Sequence, residues 1–423
     1  MIIVVGSLVG ACSPSGPRPN APCDQVSTDL SLFVAGDAII TQPWSQVDEP
    51  DFLRLVDEIR RADVSVANLE MLVHEFKGYP QAVVAGQGHH MAARPIIAKE
   101  LAWAGFDMVG HANNHTYDYG EIGVLENLQH VRQAGLVLAG SGEDLQRARA
   151  PAYFRSSKGT VALVAVASTF APHNRATRSR PDLHGQPGLN PLAISKIPQS
   201  RLSALRSGSI TRGTTTAVDP KDLEGNLAAI REAAANADIV VLSVHAHRQG
   251  SWLVQFAHQA IDAGADVFVG HGPHRIMGVE IYRCRPIFYG LGDFVFQNEQ
   301  IEKIPADVYE RYGLGDDATP EDAQNAITKF GTQGYPSQRE AWEGLAATVD
   351  FNNGTLARVR LIPVDLGFGQ PLPIRGRPKL ASNEVAKKLI GDVLESSRAY
   401  GTGIHYRESD DIALIDIKRD PNR

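Results

Sequence analysis

The sequence predicts an α/β fold in which helices cover the faces of sheets. Two observations carry that prediction. Short apolar runs alternate with stretches of helical periodicity along most of the 423 residues, and several of the runs end in clusters of metal-ligating side chains. Strands alternating with helices build βαβ units, and such sheets need helices on their faces. The composition, 43% hydrophobic and 21% charged, suits a globular chain with a large core.

The first apolar run, residues 32–35, leads into Gly36-Asp37 and reads as a strand. Phe52, Leu55, Val56 and Ile59 recur at helical spacing before a second strand at 64–67. Phe106-Asp107-Met108-Val109 reads as a buried strand, followed by a short turn and a helix from about residue 121. Ile122, Leu125, Leu128 and Val131 are its expected buried face, ahead of a strand at 136–138. The continuous apolar run 161–167 is a buried strand. Leu223, Leu227 and Ile230 mark a helix flowing into a strand at 239–244, and Trp252, Phe256 and Ile261 mark the helix before a strand at 267–269. Later strands are expected at 286–289 and 346–351, with Asn353-Gly354 as a two-residue hairpin turn before 356–362. Two stretches break the alternation. Residues 171–220, rich in Arg, Pro, Ser and Thr, read as a long loop, which in a compact domain is functional or disordered. Residues 298–340 read as an insertion near the mouth of the site, with helical pieces at 306–312 and 320–329. Residues 383–398 form a late amphipathic helix.

Five of the strand-like runs end in polar clusters: Asp37; Asn68-Leu69-Glu70; Asn114-His115; His245-Ala246-His247; and His271-Gly272-Pro273-His274. Open α/β sheets place their ligands at such strand ends. Carboxylate, amide and imidazole together suit Mn, Fe or Zn better than Ca or Mg. A single strand-end His is commonly a satisfied buried residue, but five clusters in one fold are poorly explained that way.

These pieces stand in the order Gly36-Asp37, Asn68-Leu69-Glu70, Asn113-Asn114-His115 with Asp118-Tyr119-Gly120, Pro187-Gly188-Leu189-Asn190-Pro191-Leu192, His245, Gly270-His271 with Pro273-His274, and Tyr289-Gly290-Leu291-Gly292-Asp293-Phe294. The set resembles the CapA/PgsA family of capsule-biosynthesis proteins, associated with poly-γ-glutamate, whose fold is similar to calcineurin-type metallophosphoesterases. The resemblance implies an αββα sandwich with a helical insertion and C-terminal strands and helix. It also implies one or two divalent metal ions, held by Asp37, Glu70, Asn114, His245, His271 and His274. Asp37 and His274 would serve the first metal, Asn114, His245 and His271 the second, and Glu70 would bridge. His115 would be the general acid that protonates the leaving group. Asp293 would hydrogen-bond a ligand His and fix its tautomer, or form a structural turn. His111 and His247 would sit around the ligands, and His247, which alternation puts on the same face as His245, could compensate for a poor first metal position. Arg175, Arg178 and Arg180 suit bidentate recognition of carboxylates; their alternative is a solvated surface run. Trp44 and Tyr117 would wall the pocket or only pack.

The chain departs from the family's pattern in several places. His245-Ala246-His247 stands where His-Trp-Gly is common, Gly272 where a second His is common, and Asp293 where Asn is frequent. Glu70 replaces a bridging Asp, and no His follows Asp37 two residues on, which makes the first metal position the poorer one.

Residues 1–11 are similar to a short lipoprotein signal ending in Val9-Gly10-Ala11-Cys12, without a basic leader; a buried strand is the alternative. Residues 12–29 would then be a Pro-rich tether, 30–400 the metallophosphatase-related domain and 401–423 a tail. This reading places the protein in the cell envelope, facing outside the cytoplasm and anchored to the membrane through a lipid on Cys12. Cys23 and Cys284 remain to pair or stay free. The net charge of −7 leaves no basic footprint for nucleic acid. Expected partners are an anionic polymer or γ-glutamyl envelope substrate and other capsule-synthesis membrane proteins. A surface-anchored hydrolase or transferase, a non-enzymatic polymer-binding component and a plain metallophosphoesterase all remain open.

Overall fold

A computed structural model describes residues 30–81, 90–198 and 214–417. In chain order the main elements are β1 (Leu30–Ile39), α1 (Pro50–Arg61), β2 (Val64–Leu69), α2 (Ile96–Ala104), β3 (Met108–Gly110), α3 (Gly120–Gln133), β4 (Val137–Ala139), β5 (Ala152–Ser156) and β6 (Gly159–Ala167). They continue with α4 (Pro220–Asn236), β7 (Ile239–His245), α5 (Ser251–Ala263), β8 (Val267–His271), β9 (Val279–Tyr282), β10 (Arg285–Phe288) and β11 (Asp293–Phe296). The last are α6 (Ala306–Tyr312), α7 (Pro320–Thr328), β12 (Glu343–Asn352), β13 (Thr355–Asp365), α8 (Asn383–Ser397), β14 (Ile404–Arg407) and β15 (Ile412–Ile415).

Two sheets result. The larger runs β14-β15-β13-β12-β1-β2-β3-β4, and β11 also pairs with β1. The smaller runs β9-β10-β8-β7-β6-β5. Side chains alternate across each strand. On β1, Leu32 and Val34 enter the core between the sheets, whereas Phe33 and Ala35 face α1 and α2. On β6, Leu163 and Ala165 point between the sheets, whereas Val164 and Val166 face α4 and α5. Both sheets are therefore buried on two faces, and the layers stack as the expected αββα sandwich. The apolar side of α8 (Ala386, Leu389, Ile390, Val393) joins the inter-sheet core.

Some expectations change. On α3, Val124, Leu128 and Val131 are buried, whereas Ile122 and Leu125 are exposed. A three-residue repeat drifts around a helix of 3.6 residues per turn, so it cannot keep one face. Trp44 is fully buried and packs edge-on against Phe52. The 171–220 stretch is not loop throughout: Gly188–Leu189 pairs with Ser141–Gly142, and Ile194–Pro198 pairs with Thr214–Val218. Residues placed in the tail form the β14–β15 hairpin, and β15 pairs with β13. The expected turn at Asn353-Gly354 is present, with both residues in the left-handed region that such hairpins require. Cys284, at the β9–β10 turn, is disulfide-bonded. Cys12, Cys23 and the lipoprotein-like segment lie outside the described residues.

The site's geometry begins at β1. Its first part pairs antiparallel with β12 up to Ala35, and its last part pairs parallel with β11 from Asp37. The neighbour changes at Gly36, where a Cβ would fall 1.9 Å from the Gly292 carbonyl oxygen. Register irregularities flank Asp37 on both sides. Such irregularities re-aim side chains, and here they accompany an Asp37 directed toward the second sheet.

Candidate metal centre

Four of the five strand-end clusters arrive at one place. Asp37 lies opposite Asn68 on β2 and Asp293 on β11 in register. His245 and His271 are the last residues of β7 and β8 and are paired neighbours. Glu70 lies 3.5 Å from His245 Nε2, 3.8 Å from His274 Nε2 and 3.9 Å from His247 Nε2, all measured to Oε1. Asp37 Oδ1 lies 3.7 Å from Nδ1 of both His245 and His271. Asp37, Glu70, His274 and Asp293 place one ligand atom each within 4.8 Å of one another, as do Glu70, His247 and His274.

Supporting contacts hold these groups still. Asn68 Nδ2 donates to Asp37 Oδ1 at 2.6 Å, and the Gly272 amide donates to Asp37 Oδ2 at 2.8 Å. Asp293 Oδ1 lies 2.8 Å from His274 Nδ1. That contact leaves Nε2 of His274 to face Glu70. His274 is held in the left-handed region, with φ 52°, a conformation that non-glycine residues adopt at a cost and that clusters at functional sites.

Asn113 shapes the turn after β3. Its Oδ1 accepts from the His115 amide and its Nδ2 donates to the Leu69 carbonyl. Asn114 follows with a buried Oδ1, and Asn174 Nδ2 donates to its carbonyl at 3.2 Å. His115 Nδ1 lies 2.8 Å from Asp118 Oδ2, which also accepts from the Met91 amide. His115 Nε2 has no protein partner among the described residues, so it is the nitrogen free to meet a ligand.

Electrostatics mark the cluster as a place for positive charge. Burial pushes the Glu70 carboxyl well above its ordinary range, and the Asp37 charge adds to this. Burial likewise raises Asp293, to about 6. Burial also opposes the charged form of Asp37, yet His245, His271 and His274 together hold that carboxyl well below the usual range. Burial lowers His271 to about 4. It opposes the charge on His274 too, but the Asp293 and Glu70 carboxylates outweigh it and raise that imidazole well above its ordinary value.

Among the described residues, six buried polar atoms of these groups have no hydrogen-bond partner: both Glu70 carboxylate oxygens, Asn68 Oδ1, Asn114 Oδ1, His271 Nδ1 and Asp293 Oδ2. An unpaired buried polar atom costs ~1–3 kcal/mol, so six on these strand-end residues are not a stable endpoint by themselves. Oxygen and imidazole lone pairs are what a divalent transition ion binds. The residues therefore fit such an ion, as the resemblance implies.

Other predicted site residues have partners or surroundings of their own. His111 is fully buried with Nδ1 on Ser141 Oγ and Nε2 near the Met71 carbonyl, so neither nitrogen faces the cluster. Arg175 is tied to Asp222, and Arg180 to Asp182. Arg178 is exposed. Tyr117 packs edge-on against His173. The insertion does reach the site: Tyr335 packs edge-on against His274, with ring centroids 4.4 Å apart. Asn68 and Asp118 stand in the sequence motifs, but no role was assigned to them there. Strand alternation puts Asn68 on the same face as Glu70, which was a usable signal; the three-residue spacing from His115 to Asp118 was a weaker one.

The model of the family described as bacterial capsule synthesis protein PGA_cap matches residues 31–298. The chain is 31% identical to the uncharacterized protein y4sH of Sinorhizobium fredii, across 89% of this chain and 91% of that one. It is 28% identical to the PGA biosynthesis protein CapA of Bacillus subtilis, across 70% of each. Among solved structures it is similar to a novel phosphatase from Mycoplasma pneumoniae, at TM-score 0.39 and 12% identity, covering 79% of this chain and 93% of that one. The family match spans every strand-end cluster of the buried centre, and the chain belongs to the PGA_cap family of bacterial capsule synthesis proteins.

Proposed function

We propose that this protein is a metal-dependent hydrolase or transferase of the cell envelope, acting on poly-γ-glutamate or a related γ-glutamyl polymer. The observation that carries the reading is the buried centre with six unsatisfied polar atoms, next to a His whose outer nitrogen is free. Asp37, Glu70, Asn114, His245, His271 and His274 would hold one or two divalent ions of the Mn, Fe or Zn type. Bound there, such an ion supplies Lewis-acid polarisation and an activated water. Asp118 holds His115 Nδ1, and His115 Nε2 hands a proton to the departing atom. Asn68 and the Gly272 amide orient Asp37, and Asp293 orients His274. The polymer as substrate is drawn from the family and from the relative named for PGA biosynthesis.

The test is metal analysis of the purified protein, with parallel assays on poly-γ-glutamate and on a phosphodiester. Turnover of the γ-glutamyl polymer that stops on chelation and returns with added Mn²⁺ or Zn²⁺ is expected. Turnover of the phosphodiester alone would make the protein a metallophosphoesterase. Polymer binding without turnover would support a non-enzymatic capsule component, a reading favoured by the lack of a His two residues after Asp37.

Envelope placement belongs to the same proposal. No helix among the described residues is long and apolar enough to cross a membrane. Attachment would come from a lipid on Cys12. The disulfide at Cys284 supports an oxidising compartment, where such bonds persist. Cys12→Ser is expected to move the protein from the membrane to the soluble fraction. Unchanged membrane association of that variant would remove the anchor from the proposal.

A further inference from the structure

His247 is not among the ligands proposed above, yet its imidazole enters the same centre. Its backbone amide donates to the Thr169 hydroxyl at 3.0 Å, which pins the residue just beyond the end of β7. Its Nε2 lies 3.0 Å from Nε2 of His245 and 3.9 Å from Glu70 Oε1. The ring centroid is 5.8 Å from that of His274. Glu70, His247 and His274 form a three-ligand set that shares only Glu70 and His274 with the set built on Asp37 and Asp293. The His247 side chain is about a quarter exposed, so this second set lies toward the opening of the site.

The neighbouring loop leaves room for that ring. Gly272 has φ 102°, and a Cβ there would fall 2.7 Å from His247 Cδ2 and 3.2 Å from the Ala246 backbone. A side chain at 272 and the imidazole at 247 thus compete for one space. The edges of the set, 3.8 and 3.9 Å from Glu70 to the two imidazoles, close onto one ion after small side-chain movements, given metal–ligand bonds of ~2.0–2.2 Å.

We infer that His247, with Glu70 and His274, binds a second divalent cation on the outer side of the centre, and that Gly272 is the residue that makes room for it. This rests on the metal-centre reading above.

The test uses the full chain, stripped of metal and titrated with Mn²⁺ by calorimetry, with metal content measured after dialysis. The parent is expected to take two equivalents. His247→Ala and the bulkier His247→Gln should each keep the inner equivalent and weaken the outer one by at least ~10-fold. Gly272→Ala should weaken the outer equivalent more in the parent than once His247 is already alanine, a non-additivity expected of two groups in contact. Thermal melts of the metal-free variants check that each is folded. Parent-like Mn²⁺ binding by both folded His247 variants would overturn the inference and leave the inner site standing. A parent that binds only one equivalent would overturn the outer position. A parent that binds none would overturn the metal-centre reading as well.

Discussion

Replacing His115 with alanine is expected to lower turnover of the true substrate by ~10²–10⁴-fold while leaving metal content near that of the parent, because general acid catalysis is worth that much. Two neighbouring residues on one turn divide the work. Asn114 offers a buried oxygen with no partner, whereas His115 is held at Nδ1 by Asp118 and leaves Nε2 free. Removing the imidazole takes away the proton and not the ligand. Steady-state kinetics and metal analysis on the same preparation check both halves. A variant that keeps full activity would give His115 a structural role, and one that loses its metal would make it a ligand. Asp118→Asn should give a smaller loss of the same kind, because the ring would remain but lose the carboxylate that sets its tautomer.

His271→Ala is expected to do the opposite: metal affinity should fall by more than the ~10–100-fold typical of losing an outer-shell partner, with activity falling alongside. His271 is buried, its Nδ1 has no hydrogen-bond partner, and Asp37 lies 3.7 Å away. Its loss leaves Asp37 facing one imidazole fewer in a buried pocket. Chelator competition followed by metal analysis reads the affinity, and excess Mn²⁺ should restore part of the activity. Unchanged metal binding would place His271 outside the coordination set. The two variants together separate proton transfer from metal retention, which activity measurements alone do not.

Much of the fold was legible in the sequence, for a physical reason. Strands buried on both faces must be continuous apolar runs, and 161–167 and 239–244 show this directly in Gly159–Ala167 and Ile239–His245. Short edge strands lack that signature. Ala152–Ser156 and Val279–Tyr282 are only partly buried, and the β14–β15 hairpin looked like a tail. The face of α3 was misjudged because a three-residue spacing mimics helical periodicity over one turn but not over three.

By itself, the sequence determined the alternation of strands and helices, the ligand types at the strand ends and their order, because these depend on residue type and local spacing. Only the tertiary structure decided which of those side chains meet. Register put His245 beside His271 and Asp37 beside Asn68 and Asp293. The change of neighbour at Gly36 set where Asp37 emerges, and the packing of one loop on another put His247 over Gly272. It also paired Arg175 with Asp222, and spent both nitrogens of His111 on Ser141 and Met71. Residues more than 200 positions apart, such as Asp37 and Gly272, are joined by hydrogen bonds that no local pattern encodes. A chemical inventory is a local property of the chain, whereas a coordination set is a property of how distant strands align.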